Sequence, residues 1–233
     1  DNEIDNYQQT HYQLHITNKA IKKLKLNTSF HYTRGAGYFE QYVGTEHNSV
    51  MYNGDYAWGK NLLSYYNLDD VIISGDTISQ TNLIRRRWLD NHFYGLVFSA
   101  DYTANKFNLI LGGGANQYLG GHFGEVIWAQ YASDGSIRHR YYDNDATKND
   151  VNLYGKLNYD LNKDFNAYLD LQYRFVSYEF TGLNNDRSPL DQTANLNFFN
   201  PKAGVNYHLN SSNNLYGFIA VSYTHLTLPT TGS

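Results

Sequence analysis

Apolar and polar residues alternate one by one along much of this chain. From Val151 to Leu161 the odd positions are Val151, Leu153, Gly155, Leu157, Tyr159 and Leu161, and the even ones are Asn152, Tyr154, Lys156, Asn158 and Asp160. After the polar turn "LNKDF", Ala167, Leu169, Leu171, Tyr173 and Phe175 share one face, and Asn166, Tyr168, Asp170, Gln172 and Arg174 share the other. A period of two is the mark of β-strands, and a short polar link between two such runs is the mark of a hairpin. Three more hairpins read the same way: "HYQLHIT" with "LKLNTSFHYT", "FYGLVFSADYT" with "FNLILGGGANQY", and "KAGVNYHL" with "LYGFIA". This gives about eight strands of the ~9–11 residues that a tilted membrane strand needs.

The links alternate in length. Those at 18–23, 103–106, 161–165 and 210–214 are short, whereas those at roughly 34–91, 118–150 and 178–201 are long. Parts of the long links, such as "GEVIWAQYA", fit strand extensions above a membrane. Short turns on one rim and long loops on the other are the rhythm of outer-membrane barrels. Aromatic residues stand near strand ends, at Tyr12, Tyr32, Tyr94, Tyr102, Phe107, Tyr159, Phe165, Phe175 and Tyr207, where such barrels carry interfacial girdles. A soluble barrel also alternates, but the loop rhythm and the girdles turn the apolar face outward. The expectation is an all-β chain: an antiparallel transmembrane β-barrel fragment of about eight strands in up-and-down hairpins, with short periplasmic turns and long extracellular loops.

Composition narrows the partners. Charged residues make up 17%, below the ~25% of soluble domains, and net charge is −4, so nothing suggests a nucleic-acid binder. There is no Cys, hence no disulfide framework and no thiolate metal site. "HFGE" offers His122 and Glu125, but residues three apart on a strand point to opposite faces. "DNDATKND" at 143–150 fails as a calcium loop: counting from Asp143, position 6 is Lys148 and position 12 is Tyr154, and a solvated loop is expected there instead. "GGGANQ" from Gly112 ends on Gln117 and fails the dinucleotide pattern; glycines within a strand mark a bend or a close approach of another chain segment.

Neither a Ser/His/Asp arrangement nor a carboxylate pair falls in one pocket, so catalysis is not expected, and no cofactor is. The candidate ligand contacts are the rings of the loop 38–66, Tyr38, Tyr42, Trp58, Tyr65 and Tyr66, together with Arg85, Arg87 and Trp88 of "LIRRRWLDN". Arginine forks suit carboxylate and phosphate oxygens, whether of an anionic ligand or of lipopolysaccharide. The alternative for both stretches is plain: tyrosines packing on one another and a solvated loop base.

Four stretches, "HYTRGAGYFEQY" (31–42), "LIRRRWLDNHFYG" (83–95), "GGHFGEVIWAQYA" (120–132) and "FFNPKAGVNYHL" (198–209), resemble the barrel of TonB-dependent receptors, the plugged outer-membrane transporters. The resemblance runs over residues 1–220. It implies part of a 22-stranded barrel of the plugged class and active uptake of a scarce ligand such as an iron–siderophore complex or cobalamin. The implied partners are outer-membrane lipid and lipopolysaccharide, the transported small ligand, and the TonB complex through a plug region. Residues 1–220 lack the plug, a TonB box, most of the 22 strands and the final strand with its terminal aromatic residue. The competing expectations are a complete eight-stranded outer-membrane protein with an adhesin or structural role, and an outer-membrane enzyme on a similar barrel. The closing stretch "VSYTHLTLPT" (221–230) resembles no barrel strand but is similar to the translation of a transposase-type sequencing adapter. Residues 221–233 are therefore expected to be a non-native tail on a gene truncated at both ends.

Overall fold

Strands that alternate over such lengths expose two edges of unpaired backbone groups, and each is satisfied by zipping to the next strand in the chain. The computed structural model describes residues 3–45, 49–52, 55–58, 63–132 and 138–221, with side chains for all but 49–52 and 55–58. The strands are β1 (Ile4–Asn18), β2 (Leu24–Val43), β3 (Ser49–Tyr52), β4 (Asp55–Trp58), β5 (Val71–Ile73), β6 (Asp76–Ile78), β7 (Leu83–Thr103), β8 (Phe107–Ala129), β9 (His139–Asp160), β10 (Phe165–Leu183), β11 (Pro189–Asn210) and β12 (Asn213–Ala220). A 3-10 turn spans Leu63–Tyr66. Eight of the strands form one antiparallel sheet in the order β1-β2-β7-β8-β9-β10-β11-β12, with β1 and β12 at its edges. The short turns fall where the alternation placed them. Val221 adds one more rung through its N–H to Pro201 O; the rest of the expected tail, 222–233, lies outside the described residues.

Most strands are about twice as long as expected. β8 runs for 23 residues and β9 and β11 for 22 each. The links at the far rim shrink to 44–82, 130–138 and 184–188. "DNDATKND" is thus part of β9 rather than a loop, and "LIRRRWLDN" is part of β7. Apolar alternation stops where the apolar band stops, but the backbone ladder continues, because polar side chains can pair across strands just as well. Arg34–Asp90 at 2.5 Å and Arg86–Glu40 at 2.7 Å are such pairs in the extension.

The register fixes the tilt of the strands. Tyr102 on β7 pairs with Leu109, and the belt residue of β8, Phe107, lies two positions nearer the turn. Phe107 pairs with Tyr159 of β9. Tyr159 pairs with Ala167, the β10 belt residue Phe165 lies two positions turnward, and Phe165 pairs with Tyr207 of β11. The belt slips by two plus two residues over four strand steps. One residue of ~3.3 Å per strand spacing of ~4.8 Å is a tilt of about 35°, within the range of membrane barrels. A second belt stands eight residues further along three strands, at Tyr94, Tyr173 and Phe199, and Tyr32 and Tyr12 continue it in register with Tyr94. Eight residues at that tilt rise about 22 Å, close to the ~25 Å apolar band of a transmembrane barrel. Tyr173 and Phe199 were not among the girdle residues expected from the sequence.

Between the belts the outer face carries Leu96, Phe98, Leu157, Leu169 and Leu171, while one row of the inner face reads Lys156, Asp170 and Lys202. The polar face is concave. One depression is lined by Asp5 and Tyr7 of β1 and by Asn184 and Asn185 beyond β10. Five flat strand spacings would hold those segments ~24 Å apart, so the sheet curls around them. Glycines allow tight interdigitation on this face. A Cβ at Gly112 or Gly204 would fall 2.5 Å from the ring of Tyr154 or Tyr168, so each tyrosine lies flat over its glycine neighbour.

Leu169 sits midway between the belt residues Phe165 and Tyr173. Placed in a bilayer, Leu169→Arg should cost about 2–4 kcal/mol of folding stability, and Asp170→Asn on the opposite face much less. Urea titration of the full protein in phospholipid vesicles reads both. Equal tolerance of the two would reverse the assignment of faces.

Candidate functional site

Beyond the upper belt, the inward positions of β2, β7 and β8 become apolar again, at Val43, Leu83 and Val126, all buried. The turn Leu63–Tyr66 folds down onto them, and Leu63, Tyr66 and Leu68 join one buried cluster with Tyr141 and Tyr142. Two consecutive strand residues cannot ordinarily face the same way. They do here because of a bulge: Gly124 pairs with Tyr142 and Glu125 with Arg140, which leaves Tyr141 as the extra residue. Gly124 is required at this point, since a Cβ there would overlap the rings of both tyrosines. Tyr65, Tyr66, Tyr141 and Tyr142 then meet edge to face in sequence with centroids 4.9, 4.9 and 5.0 Å apart.

The folded-in loop is fastened from the other side of the depression. Tyr65 donates its hydroxyl to Asn185 O at 2.8 Å. Arg187 donates to Ser64 O and to Asn67 Oδ1, the latter at 3.1 Å. Arg187 has a φ of 66° and Asn67 one of 58°, both in the left-handed region that non-glycine residues rarely occupy. A buried leucine gains about 1.5–3 kcal/mol, and ordering a loop costs about 1–2 kcal/mol per residue, so the rings and leucines alone hold this lid weakly. The three cross-loop hydrogen bonds therefore matter to whether it stays closed.

Of the residues singled out in the sequence, Tyr65, Tyr66, Arg85 and Arg87 come together on the concave face. Arg85 donates to Gln41 Oε1 at 2.8 Å and to the Tyr66 hydroxyl at 3.4 Å. Arg87 lies 5.5 Å from the Phe39 ring centre and makes no hydrogen bond or ion pair with the described residues. Tyr38, Tyr42 and Trp88 turn to the opposite face, because strand neighbours alternate, although Tyr38 and Trp88 also border the depression. The Trp88 indole N–H donates to Glu125 Oε2 at 2.9 Å, and its ring stacks on Phe123 and meets Tyr38 at a tilt. Arg86 covers Tyr38 and Arg140 covers Phe123 on that outer surface. Trp58 ends β4, and its side chain lies outside the described residues.

The depression itself has a volume of about 760 Å³ and is lined by Tyr7, Phe39, Arg87, His122, Tyr142 and Asn185 among others. His122 and Glu125 point to opposite faces, as their spacing required: His122 Nδ1 meets Asn144 Oδ1 at 3.0 Å inside the curl, and Glu125 faces out. Among the described residues no group of three or more His, Asp or Glu is placed to hold a metal ion. Sequence reasoning passed over Tyr7, Tyr141 and Tyr142. The adjacent pair "YY" inside an alternating run was the available signal for the bulge.

Burial pushes the Tyr66 phenol up to about 12, with the Arg85 guanidinium pulling the other way. Tyr141 and Tyr142 are raised too, chiefly by burial. A raised phenol means that the folded lid favours the neutral ring. That stability is complete below the ordinary pKa of ~10 and is lost as pH rises through about 12. Ultraviolet titration of the tyrosinates should therefore lose a late-ionising group in Tyr66→Phe. If the group that disappears ionises with the exposed tyrosines, Tyr66 is not buried against the wall.

No family model and no curated protein matches this chain. Its fold is similar to that of two solved structures. One is the ferric-catecholate import receptor Fiu from E. coli K12 in its open form, with a TM-score of 0.53 and 12% identity over 95% of this chain and 36% of that one. The other is the ferric citrate transporter FecA in its unliganded form, with a TM-score of 0.51 and 12% identity over 91% of this chain and 27% of that one. The chain thus spans 36% of one and 27% of the other, and what the likeness shows is the fold: an open, antiparallel, all-β length of barrel wall.

Proposed function

We propose that this chain is part of an outer-membrane TonB-dependent transporter that takes up a scarce ligand such as an iron–siderophore complex or cobalamin. One observation carries the reading. The sheet combines two aromatic belts set at a membrane barrel's tilt with a concave chamber under a folded-in loop at the long-link rim. On this reading the belts mark the two lipid interfaces, the short turns are periplasmic and the chamber opens to the cell exterior. The likeness in fold to two receptors named for importing ferric complexes supports it, as does the family resemblance of residues 31–42, 83–95, 120–132 and 198–209. The inner polar face, with Lys156, Asp170 and Arg174, suits a wet lumen or the surface of a plug.

The alternative of a complete eight-stranded barrel calls for β1 to pair with the last strand. In the sheet order β1 and β12 are instead opposite edges, which favours the wall of a larger barrel.

Two measurements test the transport reading. In a bacterial host carrying the full gene, uptake of the ligand should disappear when TonB is deleted; uptake that persists would refute it. Replacing residues 44–82 with a short glycine-serine linker should weaken ligand binding while the barrel still resists unfolding on unheated gels. Residues 38–43 are kept in that variant because they belong to β2. Binding that survives the replacement would remove the lid from the site.

A further inference from the structure

The lower aromatic belt is unbroken from β7 to β11, at Tyr102, Phe107, Tyr159, Phe165 and Tyr207. The upper belt is not. Where β8 and β9 should continue it, eight residues from Phe107 and from Tyr159, stand Ala115 and Val151. Tyr94 on β7 and Tyr173 on β10 flank this gap, three strand spacings or about 14 Å apart. The register sets the gap in one outward row, Phe30–Leu96–Ala115–Val151. A depression of about 550 Å³ opens there on the outer face, with Phe30 and Leu96 on one side and Val151 on the other. The apolar surface continues toward the lower belt over Phe98 and Leu153, whose side chains close over Gly113.

The edge of the depression nearer the long links is polar, and Gln117 and Asn149 line it, both half-buried. Tyr94 donates its hydroxyl to Gln117 Oε1, Gln117 Nε2 donates to Asn149 Oδ1 at 2.7 Å, and Asn149 Nδ2 donates to Ser177 Oγ at 3.2 Å. A side-chain amide nitrogen carries two hydrogens, and each of these two spends one in the relay. The second is left for an acceptor from outside the wall. The next row, His92, Leu119, Thr147 and Glu179, holds neither lysine nor arginine, so a phosphate finds no counter-ion beside the notch. The donors are neutral, they edge an apolar pit, and they sit at the level where head groups meet chains. We propose that this notch seats one acyl chain of a membrane lipid, with its methylenes against Leu96, Ala115 and Val151 and its linkage carbonyl accepting from the amides of Gln117 and Asn149. The inference rests on the membrane part of the transport reading and adds a lipid site to it.

The test uses the full protein in detergent micelles, titrated with a diester phosphatidylethanolamine and with its diether analogue, which has the same chains and head group but no carbonyls. Native mass spectrometry reads the lipid retained. The diester should be held about fivefold more tightly, the worth of one net hydrogen bond. The double variant Gln117→Leu, Asn149→Leu should bring the diester down to the level of the diether. Ala115→Trp, which fills the notch, should remove the tight binding of both. Equal retention of the two lipids by the unsubstituted protein overturns the proposal, whether or not the variants fold. A dimer that Ala115→Trp dissociates also overturns it, because the occupant would then be a second copy of this wall. The membrane reading is checked separately: Leu169→Trp, in vesicles of lipid brominated on its chains, should add a fluorescence that the bromine quenches. If it is quenched and the two lipids still bind alike, the lipid site alone fails. If it is not quenched, the membrane reading fails and the lipid site with it.

Discussion

Everything in this molecule follows from the backbone hydrogen-bond ladder. A strand that crosses an apolar layer has no water to satisfy its amide groups, so each N–H and C=O has to find the neighbouring strand. Once the strands are zipped, register is no longer a free variable: a slip of one residue would exchange outward-facing leucines such as Leu157 and Leu169 for polar neighbours such as Lys156 and Asp170. The aromatic belts make that constraint visible. They descend across the register by about one residue per strand because the strands are tilted and the interface is level.

The same ladder carries the sheet well beyond the apolar band, and there the forces change. Within the band, leucines and phenylalanines such as Leu169 and Phe98 stand exposed on the outer face, where apolar surroundings would favour them over water. Above it, ion pairs such as Arg86–Glu40 and stacked rings such as Trp88 on Phe123 hold neighbouring strands in register. Ion pairs near a surface contribute little each, and Arg86–Glu40 is only part-buried, so the tall rim depends on cooperative backbone pairing. Its inner surface is stiffened where the lid packs, by Leu63 and Tyr66 against Leu83 and Tyr141.

The candidate site lies where the alternation is interrupted. The β8–β9 bulge turns Tyr141 inward beside Tyr142 and completes the ring cluster under the lid. Without that extra residue the two tyrosines would face opposite sides, and Tyr66 would have no aromatic floor. Arg85 and Arg87, two residues apart, share the concave face for the ordinary reason of a period of two, while Arg86 between them is spent on an outer ion pair with Glu40. Three consecutive arginines are thus divided into two jobs by nothing more than the pleat.

Much of this was legible in the sequence. Strand alternation gave the eight strands of the main sheet, though not the small hairpins β3–β4 and β5–β6, together with the short turns and the assignment of Leu157 and Leu169 to one face and Lys156 and Asp170 to the other, because side-chain direction in a strand is a local property of the backbone. The strand ends were not legible. Past the upper belt both faces become mixed, and polar residues such as those of 143–150 read as loop until a partner strand is there to pair with them. The chamber was half legible. The ring-rich loop and the arginines stood out, but which of them meet depends on the curl of the sheet, the fold-back of 63–68 and the contact of Arg187 with a loop more than a hundred residues earlier. Those are long-range contacts with no local signature: the sequence by itself determined the pleat, and only the tertiary structure decided which sides of it face one another.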